Sequence, residues 1–205
     1  MNLQRPFQVI APTLDGDVLT VLARADRVLT GRAIERETNA SHGGVQRALD
    51  HLVAEGIVSR ERAGPAYLYR LNRDHLAAPW IEGLAALRLQ LIDRLRHSIG
   101  SWEIQPVASV LFGSAARGEA GRASDLDLLM IRPRGIDADD ETWRKQLIAL
   151  QEAVSGWTGN DARVLEYGEE ELELDEPVLE TAAAEGVELH GSLRGLLARK
   201  RRRRR

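Results

Sequence analysis

The sequence predicts an α+β chain of two domains: a helical N-terminal domain with a short β-ribbon, then an α/β sheet domain. Three observations carry that expectation. The first 78 residues hold three helical stripes of apolar residues, followed by two short extended runs around the turn "AGPA". Pro79 then opens a long amphipathic stretch, "WIEGLAALRLQLIDRLRHSIGSW", the pattern of a helix joining two domains across 79–103. From residue 104 onward, extended apolar runs alternate with helical ones, which is the signature of a sheet covered by helices.

Composition sets the outer limits. At 205 residues the chain accommodates one large domain or two small ones, and 43% hydrophobic with 29% charged residues suits a packed core. There is no cysteine, which excludes disulfides, Cys-ligated zinc and thiol catalysis. The start lacks the apolar core of a signal peptide and no run approaches membrane-spanning length, so a cytoplasmic protein without a membrane partner is expected. The net charge of −3 conceals an asymmetry. Residues 1–78 carry ten Lys/Arg against nine Asp/Glu, residues 79–198 carry eleven against twenty-two, and the last seven, "RKRRRRR", are all basic. The basic tail, 196–205, is expected to be disordered. It either adds sequence-independent affinity for nucleic acid or neutralises the acidic body.

The N-terminal elements follow in order. Val18, Leu19, Val21 and Leu22 share one face of a helix from Asp15 to about Asp26. Thr30 is the N-cap of a second, short helix, "GRAIERET". Ser41 caps a third, in which Val45, Ala48, Leu49, Leu52 and Val53 repeat at helical spacing until Gly56 stops it. The runs "IVSRER" and "AYLYRLN" complete a ribbon. Three helices and a two-stranded ribbon within residues 1–78 are the plan of a winged helix-turn-helix.

On the third helix the apolar stripe leaves Ser41, His42, Gln46 and Arg47 at its start and outer face. Gln and Arg are the residue types that reach adenine and guanine edges in the major groove. Arg60 and Arg62 on the ribbon are placed to straddle a sugar-phosphate chain. These six residues are the candidate contacts to double-stranded DNA. A solvated face in a winged helix used for protein contacts is the plainer alternative, and the near-neutral charge of this segment favours it. The stretch "SHGGVQRALDHLVAEGIVSRERAGPAYLYRLN" resembles the winged helix-turn-helix regulators of the MarR and ArsR type, and that resemblance spans about Leu14 to Leu76.

The second half carries the chemistry. "VASVLFGS" reads as a strand ending in Gly-Ser, followed by a short helix near 115–119; "DLDLLMIRP" reads as a second strand closed by Pro133. Helix "DETWRKQLIALQEAVSGW", a strand near "ARVLEY" and helix "EPVLETAAAEGVELHG" follow. Strand residues two apart share a face, so Asp125 and Asp127 project together while Leu126, Leu128 and Met130 go to the other side. Two like charges so placed need a cation or a proton between them. A carboxylate pair of this kind is a hard-oxygen site suited to Mg²⁺ bridging to phosphates. Gly113 permits a tight turn, Ser114 sits at a helix start that favours an anion, and Arg117 can fork a phosphate. A Ser cap with an Asp pair in a loop salt network is the plainer alternative.

Residues 107–191 resemble the minimal nucleotidyltransferases of the DNA polymerase β superfamily, through "LFGSAARGEAGRASDLDLLMI". The resemblance implies a small mixed nucleotidyltransferase-like sheet flanked by helices, with Gly113 and Ser114 holding the phosphates of a nucleoside triphosphate; Arg117 and Ser124 are further candidates for nucleotide binding. It implies Mg²⁺ on Asp125 and Asp127. It further implies transfer of a nucleoside monophosphate to a hydroxyl of a drug, nucleic acid or protein, some members acting as antitoxins on a toxin partner. Active members carry a third carboxylate on the next strand. Aligning "TGNDARVLEY" on Gly159 and Val164–Leu165 puts Arg163 there, while Asp161 shares its strand parity and is the substitute candidate; Glu166 has the opposite parity. Two functions therefore stand: a Mg²⁺-dependent nucleotidyltransferase delivered by a winged helix, or a catalytically impaired nucleotide-binding transcriptional regulator or antitoxin-like protein. A toxin-like protein and a second copy of the chain, as a homodimer, are the protein partners left open.

Overall fold

The computed structural model describes residues 1–121, 124–173 and 176–204. The chain divides into two compact units, one of Gln4–Arg88 with Asn2, the other of Leu89–Arg205 with Met1 and Leu3.

The first unit holds α1 (Leu14–Arg24), β1 (Leu29–Thr30), α2 (Gly31–Thr38), α3 (His42–Ala54), β2 (Val58–Ala63), β3 (Ala66–Leu71) and α4 (Ala78–Ala85). Both expected caps form: Thr30 accepts from the Ala33 N–H at 3.2 Å and Ser41 from the Gly44 N–H at 3.3 Å. Each such cap satisfies an N–H left open by the first turn, and is worth about 1 kcal/mol. Val18, Leu22, Ile34, Val45, Leu49 and Leu52 close a core against Tyr69 and Leu71 of the ribbon. The two-residue strand β1 pairs with β3, Leu29 opposite Tyr69, and turns the ribbon into a three-stranded sheet of order β1-β3-β2. Two residues are too short a run to leave a periodic signal in sequence.

The stretch read as one joining helix is two helices, α4 and α5 (Leu87–Gly100), separated at Ala86. Trp80 on α4 is 77% exposed.

The second unit continues with β4 (Ala108–Phe112), α6 (Gly113–Arg117), β5 (Leu126–Arg132), α7 (Glu141–Thr158), β6 (Ala162–Gly168), α8 (Pro177–Glu185), β7 (Val187–Gly191) and α9 (Leu193–Arg204). The sheet order is β6-β5-β4-β7. Strands β5 and β6 run parallel, and the other pairs are antiparallel, so the sheet is mixed. Alternation along β5 divides the core. Leu126, Leu128 and Met130 pack with Leu95, Ile99, Trp143 and Leu150 on the α5/α7 face. Leu129 and Ile131 pack with Leu179, Ala182, Leu193 and Leu196 on the α8/α9 face.

Two further elements differ from the sequence reading. "GVELHG" is strand β7 rather than the end of a helix, with Ser109 opposite His190. Gly186 enforces the break, because a Cβ there would lie 2.3 Å from Val110 Cγ1 and from the Ala182 carbonyl. The tail is helical as far as Arg204, since Leu193, Leu196 and Leu197 are buried and anchor α9.

Candidate functional site

Gly113, Ser114 and Asp127 come together where β4 ends and β5 begins. Phe112 is paired with Asp127 across the β4–β5 ladder, and the chain turns immediately at Gly113 into α6. Gly113 has φ +68°, and a Cβ there would stand 2.6 Å from Asp127 Oδ2. Both the backbone conformation and the space exclude a side chain. The carboxylate of Asp127 therefore lies directly over the Gly-Ser turn. Helix α6 has only five residues, so its macrodipole is small, and an anion here depends on the turn itself and the partly exposed Ser114.

Asp125 ends the loop just before β5, two residues from Asp127 and on the same face. The Asp127 carboxyl is pushed up from the usual carboxylate range, chiefly by burial; Arg163 opposes that shift and Asp125 adds to it. The parallel register sets Asp127 opposite Arg163 on β6. Arg163 Nη2 reaches Asp125 Oδ2 at 2.7 Å, while its own side chain stays 74% exposed. The residue aligned with the third carboxylate is thus an arginine that stands as internal counter-ion to the pair.

The other candidates divide. Asp161 is exposed and lies one residue before β6; its carbonyl accepts from the Leu126 N–H at 2.8 Å, which fixes the start of the β5–β6 ladder. Glu166 does face the other side, where its Oε1 accepts from Trp143 Nε1 at 2.9 Å and from Arg132 Nε at 2.7 Å. Arg117 is exposed and forks to Glu119 at 2.8 Å and Glu185 at 3.1 Å, and these carboxylates raise its pKa. Ser124 uses its Oγ to accept from the Gly121 N–H at 2.9 Å, shaping the loop.

Asn160 is the residue that sequence reasoning missed. It is 4% exposed, and its Nδ2 donates to the Ser124 carbonyl at 2.8 Å and the Gly121 carbonyl at 3.1 Å. Its Oδ1 accepts from the Met1 amino group. The Leu3 N–H holds the same loop through the Ala120 carbonyl at 3.0 Å. The bond from Asn160 to Ser124 holds the residue immediately before Asp125. An Asn just after a helix-ending Gly reads in sequence as an ordinary turn, so no signal marked it.

As a cation site, the donor set is two hard carboxylates on one strand face beside a turn that admits no side chain. That fits a single Mg²⁺ completed by phosphate oxygens and water. It does not fit a centre built on three acidic ligands, and among the described residues no group of three or more His, Cys, Asp or Glu is placed to hold a metal ion.

In the first unit, α3 presents the expected face. Arg47 is exposed, and His42 is exposed with Nδ1 2.6 Å from Glu35 Oε1. Asp50 Oδ1 accepts from Gln46 Nε2 at 3.0 Å and from Arg60 Nη1 at 3.3 Å, joining the helix to the ribbon. Arg60 also lies over the Tyr67 ring at 4.7 Å, and Arg62 Nε donates to the Gly64 carbonyl at 3.4 Å. Ser41 is committed to its cap.

Comparison with known proteins agrees with both units. Residues 12–65 match the family model of the MarR family, and residues 92–193 match that of the nucleotidyltransferase domain. Among solved structures, one described as a toxin-antitoxin with AMP-PNP is 17% identical, covering 53% of this chain and 82% of that one, with a TM-score of 0.39. A mutant of the toxin-antitoxin MntA-HpeT is also 17% identical, covering 55% and 82%, with a TM-score of 0.37. No curated protein matches the chain. No helix among the described residues is long and apolar enough to cross a membrane.

Proposed function

We propose that this chain, which joins a winged helix of the MarR type to a nucleotidyltransferase domain, is a DNA-binding regulator whose transferase-type site holds a magnesium–nucleoside triphosphate complex. The observation that carries this reading is the Arg163–Asp125 ion pair, in register with Asp127. Asp125 and Asp127 are the residues to hold the metal, and Gly113 and Ser114 the residues to receive phosphates. When bound, the metal would neutralise phosphate charge. A hydroxyl acceptor also needs a base, and the position aligned with that carboxylate offers a guanidinium, which cannot take a proton. Arg163 suits a phosphate or a carboxylate instead. Binding without efficient transfer is the behaviour this arrangement favours.

Transfer of a nucleoside monophosphate is the second reading, favoured by the joint presence of Asp125, Asp127 and the Gly113 turn. Asp161 is the substitute base, one residue before β6. Labelled nucleotide with Mg²⁺ separates the two. Nucleotide binding that is lost in Asp125→Ala/Asp127→Ala, without incorporation of label from any of the four triphosphates, supports the regulator. Incorporation abolished by Asp161→Ala supports the transferase. Winged-helix binding is tested by duplex titration of Arg47→Ala against the wild type.

A further inference from the structure

The basic end of α9 is used by neither site. Its apolar residues Leu193, Leu196 and Leu197 are buried in the unit's core, while Arg199, Arg201 and Arg202 are exposed. Lys200 Nζ is tied to the Leu172 carbonyl at 2.9 Å, and Arg201 pairs with Glu180 at 2.8 Å. Arg199 and Arg202 are exposed and have no carboxylate partner among the described residues. They are three apart, so they lie on one helix face. Beside them a cavity of about 180 Å³ is lined by Arg134, Glu169, Leu196, Arg199 and Lys200, three cations to one carboxylate. Arg134 already neutralises Glu169 at 3.3 Å, so the cavity keeps an excess of positive charge on a unit that is otherwise acidic.

We propose that this surface, centred on Arg134, Arg199 and Arg202, is a second nucleic-acid interface that takes the phosphate backbone of double-stranded DNA without reading sequence. If the basic end only balanced the acidic body, its arginines would be paired with carboxylates, and among the described residues Arg199 and Arg202 have no such partner. Guanidinium groups are suited to forked contacts with phosphate oxygens. A lipid surface is the poorer partner, because interfacial helices expose an apolar face and that of α9 is buried. Duplex DNA is chosen over RNA on the reading that the winged helix of the same chain binds DNA, and on that point the proposal rests on the preceding section.

The test is a fluorescence titration of the full chain with a random duplex of about 30 base pairs, across about 50–300 mM NaCl. Arg199→Gln/Arg202→Gln is expected to flatten the log–log salt slope by about 2 and to weaken binding on the order of tenfold near 0.1 M salt. An unchanged slope overturns the proposal. It does so without touching the winged-helix reading, which the Arg47→Ala arm of the same titration decides. Tighter binding to an RNA duplex of equal length, or to phosphatidylserine vesicles, than to the DNA duplex also overturns it. Both substitutions are on the surface, and an unchanged circular dichroism melt confirms that the fold is kept.

Discussion

Arg163 and Asp125 meet at 2.7 Å across the β5–β6 ladder, so a side chain from the neighbouring strand occupies the cationic position beside the carboxylate pair. The contact joins a well-exposed guanidinium to a partly buried acid, and such pairs are worth only about 0.2–1 kcal/mol. The magnesium–nucleotide complex proposed above would therefore displace it at small cost. Arg163→Gln is expected to tighten that complex about two- to fivefold by calorimetry. Weaker binding in the variant would instead assign Arg163 to a phosphate.

The carboxyl of Asp127 gives a pH prediction. Its pKa is raised in the folded chain, first by burial, so the folded state holds the proton more tightly than the unfolded state does. Stability therefore falls as pH rises from the unfolded value of about 3.9 through the folded one, and stays lowered above it. In buffer without divalent cations, Asp127→Asn is expected to melt higher than wild type at pH 7. The gain should vanish near pH 3, about one unit below the unfolded value. A constant difference across that range would show that the effect is not electrostatic.

Gly113→Ala tests the turn. The added Cβ meets Asp127 Oδ2 at 2.6 Å, at a positive φ that already disfavours alanine by about 1–2 kcal/mol. A lowered melting temperature and loss of nucleotide binding are expected together. An unaltered nucleotide affinity would separate the turn from the site.

The α7 face offers a contrast between two acids. Arg132 is nearly buried, with an 8% exposed side chain, and pairs with Glu166, 25% exposed, and Glu171, 63% exposed. Burial works against the charge on Arg132, and the two carboxylates overcome it to raise its pKa. Glu166→Ala also strips Trp143 Nε1 of its acceptor, and is expected to cost about 3 kcal/mol. Glu171→Ala is expected to cost under about 1 kcal/mol. Equal effects in urea titrations would contradict this division.

Much of this was legible in sequence, and the exceptions have a common cause. Thr30 and Ser41 announce their helices because a cap is a local hydrogen bond, satisfied within three residues. The Asp125/Asp127 spacing and the parity of Arg163 and Glu166 follow from strand geometry alone. Strand β7 was hidden because its ends are set by tertiary contact: Gly186 is pressed against Val110, a residue far away in sequence. Asn160 was hidden for the same reason, since it ties a loop nearly forty residues upstream, 36 positions away at Ser124. The helical tail follows from three leucines finding a core that α8 and the sheet complete.

Strand β6 closes one side of the four-stranded sheet, with no further strand beyond it among the described residues. An edge strand is a template for unwanted pairing with another chain, and charge along it is a common safeguard. Arg163, projecting from that edge and mostly in solvent, supplies such a charge. The same position thus answers to solubility as well as to chemistry. Aspartate there would keep the edge charged, whereas valine would leave it a sticky border. Variants at 163 should be judged by their tendency to aggregate before any change in nucleotide handling is credited to the site.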